Sequence, residues 1–445
     1  MNMIPIGKII EKALMLGAEY ADIITYELSQ IEEALRGSSI EVNKSKSKVY
    51  GVRVIVDGKL GIASSTKPEF EKLVKLSVKL AKSNTESRMM AEGVVAKGKF
   101  KFPQLQPFSE TAIYDVLEYI RAFADRVKEK LSNIFKCLEV VVTLNKIRRS
   151  IFSSEGTDAV EEKSLVDFAA STIVLGNKNI STISFGGSGG LEVLFSHNPE
   201  SLAKILAKRS IAGALSKRVN PAYRGLSFPV ILDGKAAAAL FHEAIGHTLE
   251  ADVALEQGKP LKYGVKIACK DLTVLDDPLI PDGYGSFSFD DEGILARRKI
   301  LIENGVIVNL LHNRWSAYVY NVEPLGNGRG LFFPPKAFMS NIKVKAGDWH
   351  FKEIINETRR GFLVRDVVKA ELTDIITIIP EESWLIERGE IKEPVYIREI
   401  KFPLKRALMK IDAIGREMES RFTVEKGLPI GEYSPPIRIA EAYVF

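Results

Sequence analysis

Two of the five histidines in the chain stand five residues apart in Phe241-His242-Glu243-Ala244-Ile245-Gly246-His247, and Glu250 and Asp252 follow closely. Converging imidazole nitrogens can hold zinc, and a carboxylate beside them can take a proton from water that the metal has acidified. These are the residue types of a metal-dependent hydrolase. The interval is the difficulty. Histidines at i and i+4 lie roughly 40° apart around a regular helix, whereas an interval of five separates them by about 140°. A single π-type turn, or a kink at Gly246, would return both rings to one face. We therefore expect an irregular helix between Glu243 and His247, with His242 and His247 as metal ligands and Glu243 as general base. The competing reading is two core histidines, each satisfied by hydrogen bonds, with no metal between them.

The elements that must position these residues can be read around them. Residues 228–232 form an apolar strand, Asp233-Gly234 turns the chain, and the alanines from Ala236 make a helix body. From residue 265 onward the chain reads mostly as strand, at 272–275, 298–302, 306–311, 375–379 and 385–386. Asp282-Gly283, Glu303-Asn304-Gly305 and Arg388-Gly389 supply turns between them.

Upstream, apolar residues at helical spacing end at Gly17, and a strand follows over 21–28. Residues 49–56 and 59–64 flank an Asp57-Gly58 hairpin turn. Thr66 and Glu69 have the spacing of a capping box. Residues 91–107 look like a connector, and a helix spans 109–131. Strands are expected at 138–144, 148–153 and 167–175. The glycine-rich run 185–190 reads as a mobile loop, since it lacks dinucleotide-loop spacing. Asn198-Pro199 is a helix start, with Leu202, Ile205, Leu206 and Ile211 on its buried side. The expected class is α+β: an N-terminal α/β region with antiparallel strands and flanking helices, then a mostly antiparallel β domain carrying the histidine helix. The divisions fall at 1–90, 108–218 (packed with the first) and 226–445.

A chain of 445 residues, 46% hydrophobic and 27% charged, can bury a sizeable core. The net charge of +5 comes from interspersed residues, so nucleic-acid binding has little support. Lys146, Arg148 and Arg149 read as a solvated strand end. Cys137 and Cys269 lack CxxC spacing and read as buried small hydrophobes of a protein in a reducing compartment, the cytoplasm. Residues 1–10 show no leader pattern, and no run is long enough to span a membrane.

Several short segments occur in a telling order. Tyr20-Ala21-Asp22, Gly51-Val52-Arg53-Val54 and Asp57-Gly58-Lys59-Leu60-Gly61 precede the histidine stretch. Gly285-Ser286, Asp290-Asp291-Glu292-Gly293, Gly326-Asn327-Gly328-Arg329, Pro334-Pro335 and Met339-Ser340-Asn341 follow it. In kind and sequence they resemble the TldD/PmbA family, also described as modulators of DNA gyrase, along nearly the whole chain. The resemblance implies an HExxxH zinc peptidase acting on unfolded or small peptides. It carries metal binding to His242 and His247 and the general-base role to Glu243. It also implies a dimer, either of identical chains or with a second family member that lacks the motif.

One position departs from the family. Its third metal ligand is a cysteine followed by glycine and a basic residue, and Ile414-Gly415-Arg416 stands there in this chain. Isoleucine cannot coordinate a metal. Asp412 would share a strand face with residue 414, Glu250 lies one helical turn past His247, and Cys269 is a soft donor. A carboxylate in that place would also admit manganese or cobalt. The departure keeps a second reading open, a non-catalytic peptide-binding or partner subunit with a degraded metal site. Arg329 or Asn327 would either steady a substrate oxyanion or serve a structural turn.

Overall fold

The computed structural model describes residues 6–109 and 112–445. Met1 to Pro5, part of the segment inspected for a leader, and Glu110 and Thr111, at the expected start of a helix, lie outside the described residues. Among those described, 25% are helical and 44% are in strands, mostly antiparallel. No helix among them is long and apolar enough to cross a membrane.

The first 190 residues build one seven-stranded sheet. Its strands are β1 (Tyr20–Arg36), β2 (Ser39–Val56), β3 (Lys59–Ser65), β4 (Lys97–Lys101), β5 (Phe135–Ser153), β6 (Asp158–Val174) and β7 (Ile180–Ser188). They lie in the order β3-β2-β1-β5-β6-β4, with β7 also paired to β6. All neighbours are antiparallel except β4, which runs parallel to β6. Alternation along β1 divides the sheet into two buried faces. Ile23, Ile31 and Leu35 meet the helices α1 (Ile6–Met15), α2 (Phe70–Ser83), α3 (Ala112–Leu131) and α4 (Pro199–Leu215). Ile24, Tyr26 and Leu28 meet Phe289, Tyr284 and Phe422 of the C-terminal half.

Several expectations change here. The strands expected at 138–144 and 148–153 are one strand, β5, and the strand at 21–28 extends to Arg36. Its partner residues 39–48 are exposed and, apart from Ile40 and Val42, polar, so no sustained apolar alternation marks them. The supposed connector contains β4. The run 185–190 is no loop: Gly186 and Gly187 lie in β7, where a Cβ would press on Tyr284, Phe422 and the Asp282 carbonyl. Glu69 is the N-cap of α2 without a side-chain cap bond, so the capping box does not form. Asn198 does cap α4, accepting from the Ser201 amide at 3.0 Å. However, Ile205 and Ile211 are exposed, and Ala203, Leu206 and Ala207 form the buried side. Cys137 and Cys269 are only partly buried.

Basic side chains of this sheet reach into the C-terminal half. Lys163 donates to the Ser286 carbonyl at 2.7 Å, and Arg53 to the Asp291 carbonyl at 2.6 Å. Arg149 bonds Glu161, the Asp291 carboxylate and the Phe289 carbonyl. Arg149 is thus buried, unlike exposed Lys146 and Arg148. The reason is register: its side chain falls on the face that the C-terminal half covers. Arg53 also pairs with Asp22, its direct neighbour across β1 and β2, so these two family-like segments are the halves of one buried ion pair.

In the C-terminal half the relevant elements are β8 (Ser227–Leu232), α5 (Gly234–Phe241), β9 (Asn341–Val344), β10 (Arg360–Leu372), β11 (Ile375–Glu387), β12 (Ile400–Pro403), β13 (Glu419–Glu425), β14 (Leu428–Ser434) and β15 (Ile437–Val444). The path β10-β8-β15-β12-β11 closes on itself because β11 also pairs with β10. A six-stranded sheet ends in β9-β14-β13, where β9 and β14 are parallel. Helix α5 packs against both, and its residues sit in the largest apolar cluster with side chains from each. The segment after residue 265 is less regular than expected, with only short strands before β9, at Val274–Asp276, Lys299–Glu303, Val306–Ile307, Gly328–Arg329 and Lys336–Ala337, the last two pairing with each other. The expected strands at 375–379 and 385–386 are one, β11. The helices Arg314–Tyr320, Phe351–Asn356 and Leu404–Met409 span too few turns to show periodicity.

Two stability experiments follow from the buried cations. Arg149→Met would leave Glu161 and Asp291 buried without their partner and is expected to destabilise the protein by about 3–5 kcal/mol in urea unfolding. Burial lowers Lys163 to about 8, against the counter-pull of Glu161, whereas an unfolded lysine titrates near 10.4. Between these values the unfolded chain binds more protons at this site, so raising the pH favours the fold. Wild-type stability measured against Lys163→Met should therefore rise from pH 8 to pH 10, and a flat difference would remove that reading.

Candidate metal centre

Strand β8 leads through Asp233, whose carboxylate accepts from the Ala236 amide at 2.8 Å and caps α5. Four buried alanines, Ala236 to Ala239, let the helix approach its neighbours closely. Past Phe241 the helix widens. Residues His242–Gly246 form a π-turn, closed by the His247 amide bonding to the His242 carbonyl, and His247–Leu249 then tightens to a 3-10 turn. The core holds both sides of this irregularity, since Ala244, Ile245 and Leu249 are fully buried. Gly246 matters for space: a Cβ there would lie 2.5 Å from the Met339 sulfur.

The π-turn brings the two rings together. The Nε2 atoms are 3.2 Å apart and the ring centroids 4.9 Å. Glu243 joins them, with donor atoms of His242, Glu243 and His247 all within 4.8 Å of one another. Its Oε2 accepts from the Leu372 amide at the end of β10, at 3.0 Å, which fixes the carboxylate. Burial raises the Glu243 pKa, and the two imidazoles pull it back.

Two carboxylates hold the outer ring nitrogens. His247 Nδ1 is 2.7 Å from Glu250 Oε1, in hydrogen-bond geometry. His242 Nδ1 is 2.9 Å from Glu432 Oε1, a close ion-pair approach whose angle is poor for a hydrogen bond. In both rings the neighbouring acid favours the proton on Nδ1 and leaves the Nε2 lone pair facing inward. A fourth carboxylate completes the cluster: Glu425 Oε2 is 3.2 Å from His242 Nε2 and 3.0 Å from His247 Nε2.

Lone pairs converging at such distances repel unless a proton or a cation lies among them. Without a metal, protons take that place. Burial opposes charge on His242, but Glu432 and Glu425 outweigh it and raise the ring to about 9. Burial likewise opposes charge on His247, and Glu250 and Glu425 raise it to about 10. Burial would raise Glu425 too, yet the hydrogen bonds of both imidazoles hold it well below the carboxylate range. Two nitrogens and adjacent carboxylates are the donor chemistry of a divalent transition metal, and loading the site must release protons.

The other candidates are placed elsewhere. Glu250 is on the outer nitrogen of His247, and Asp412 is exposed and paired with Arg438. Cys269 sits beside Leu408, whose carbonyl accepts its amide. Ile414 is buried in the strand Ile411–Ile414. Asn327 is buried and bonded to Asp276, Lys299 and the Phe338 carbonyl. Arg329 is buried too, donating to the Met339 and Pro429 carbonyls. Both hold structure in place. Glu425 and Glu432 escaped the sequence reading; the only local signal was the Lys426-Gly427 turn between their strands.

The profile of the PmbA/TldA metallopeptidase C-terminal domain matches residues 226–444, and that of the PmbA/TldA metallopeptidase domain 1 matches residues 34–81. A metalloprotease of Methanothermobacter thermautotrophicus is 28% identical over 96% of this chain and 95% of its own. A zinc metalloprotease TldD homolog of Saccharolobus solfataricus is 22% identical, covering 98% of this chain and 99% of its own. In fold, the crystal structure of TldE from Thermococcus kodakarensis superposes with a TM-score of 0.79 at 19% identity, over 98% and 99% of the two chains. A putative modulator of DNA gyrase from Thermotoga maritima does so at 0.80 and 19%, over 99% of both. The histidine π-turn lies inside the larger matched segment and Arg53 inside the smaller, and the chain belongs to the TldD/PmbA family of metallopeptidases.

Proposed function

We propose that the protein is the catalytic type of subunit in this family, a zinc-dependent peptidase that cleaves unfolded or small peptides in the cytoplasm. The observation that carries the reading is the convergence of His242 Nε2 and His247 Nε2 at 3.2 Å with the Glu243 carboxylate beside them. Bound there, zinc supplies Lewis acidity toward the scissile carbonyl and toward water. His242 and His247 present their Nε2 atoms, while Glu432 and Glu250 keep the rings oriented from behind. Glu243 has one oxygen engaged by the Leu372 amide, so the other is available to take the proton of the attacking water and return it to the leaving amine. Its raised pKa suits a group that must both accept and give a proton.

Substrate selection follows from the sheet. Strand β13 is terminal in its sheet and pairs with β14 on one side only. An extended peptide adding to its other backbone edge would gain main-chain hydrogen bonds with little side-chain preference, and would lead to Glu425 at the strand end. Folded proteins keep most of their strands paired and their sheet edges short, charged or covered, so an unfolded chain fits this edge better. The working assembly in this reading is a dimer, of two copies or with a second family member, and the TldE structure has the same fold as this chain.

Three measurements test this reading. Cleavage of an unfolded casein-type peptide by wild type should stop on addition of a chelator and return with zinc. Glu243→Gln should lower kcat by about 10²–10⁴-fold while bound metal is retained. Protein that carries no metal and cleaves nothing, alone or with a family partner, would instead make it a binding subunit. Light scattering of the purified chain should give twice the chain mass or, if a partner is required, the monomer mass until that partner is added.

A further inference from the structure

We propose that Glu425 is the third protein ligand of the metal, through a single oxygen, so that the centre is His242, His247 and Glu425. The proposal rests on the peptidase reading for the existence of a metal, and on separate observations for the ligand. Glu425 Oε2 stands 3.2 Å and 3.0 Å from the two Nε2 atoms, which are themselves 3.2 Å apart. Donors about 2.0–2.1 Å from a tetrahedral zinc lie roughly 3.3 Å from each other. The three atoms therefore form a nearly equilateral face of the size such a centre requires, with the fourth position free for water and substrate.

The carboxylate is also held for one-oxygen binding. Its other oxygen, Oε1, is 3.1 Å from Lys426 Nζ, and the same ammonium lies over the Phe338 ring, 5.0 Å from its centroid. The backbone supports this placement. Glu425 and Leu428 are direct partners in the β13–β14 register, and Lys426 and Gly427 between them have φ of 52° and 76°, a two-residue turn with both centres left-handed. That turn ends β13 with the Glu425 carboxylate over the imidazoles. The strand after the turn carries Glu432, which backs His242, so one hairpin provides both a ligand and the outer support of another ligand. The neighbouring carboxylates do different things: Glu250 and Glu432 are on the Nδ1 side of the rings, and Glu243 is anchored to the Leu372 amide.

A centre of two imidazoles and one carboxylate contains no thiol, and the free cysteines among the described residues lie elsewhere. It should accept cobalt as readily as zinc and should not be inactivated by thiol-oxidising reagents.

The test uses the full-length protein stripped of metal and titrated with cobalt chloride, followed by the visible d–d spectrum and by competition with a chelator. Wild type should bind one Co²⁺ per chain. Glu425→Ala and Glu425→Gln should each bind it at least about 100-fold more weakly and with an altered d–d spectrum, because a ligand has been lost. Glu432→Gln, a change behind a ligand, should weaken binding by about 10–100-fold and leave the spectrum in place. Glu425 is partly exposed at a turn, and circular dichroism of the metal-free variants checks that both fold; Gln keeps the shape of the side chain if Ala does not. If both Glu425 variants bind Co²⁺ within about threefold of wild type with an unchanged spectrum, while His242→Ala releases it, Glu425 is not a ligand although the peptidase reading stands. If wild type binds no Co²⁺ or Zn²⁺, the metal reading itself falls, and the ligand assignment with it.

Discussion

One backbone hydrogen bond, from the His247 amide to the His242 carbonyl, sets the rest of the site. On a regular α-helix the two rings would point in directions that no single cation could satisfy. The wider turn costs helix regularity, and it persists because everything around it is already fixed. Asp233 caps the start of α5, its alanines seat it between two sheets, Gly246 admits Met339, and Leu249 anchors the far side. A π-turn in a buried helix of this kind is a local irregularity imposed by its surroundings.

The second constraint is charge. Two imidazoles meet four carboxylates, Glu243, Glu250, Glu425 and Glu432, in a largely buried space. Each acid has its own position: two behind the rings, one on a backbone amide, one at the meeting point of the Nε2 atoms. Protons hold the cluster together without a metal, which is why both rings are driven upward in pKa. In the proposed reading a divalent cation would do the same with more charge and a fixed geometry. The fold brings these groups together from far apart in the chain, because α5 and the β13–β14 hairpin belong to layers packed on one core.

Much of this was legible in the sequence where local rules govern. The five-residue interval of His242 and His247 has few geometric solutions, and the π-turn is one of them. Asp57-Gly58, with φ of 50° and 68°, forms the hairpin turn its residue types favour, and Asn198-Pro199 starts a helix for the same kind of reason. What could not be read depends on pairing over distance. Glu425 looks like any acid before a Lys-Gly turn, and only the sheet shows that it ends 183 residues away at His242. Arg149 looks solvated beside Lys146 and Arg148 until its strand face is covered. Gly186 and Gly187 suggest a loop because packing against Tyr284 and Phe422, rather than backbone flexibility, is what excludes larger residues there. The exposed half of β2 has no apolar pattern beyond Ile40 and Val42 because neither of its faces is buried.

The central claim is that the helix bends so that two imidazoles share one cation. Anomalous diffraction at the zinc absorption edge, from crystals of the zinc-loaded protein, tests it most directly. The account predicts a single peak per chain within about 2.0–2.1 Å of both His242 Nε2 and His247 Nε2. A regular helix through residue 245 with the rings turned apart, or a peak bound by other residues, would contradict it.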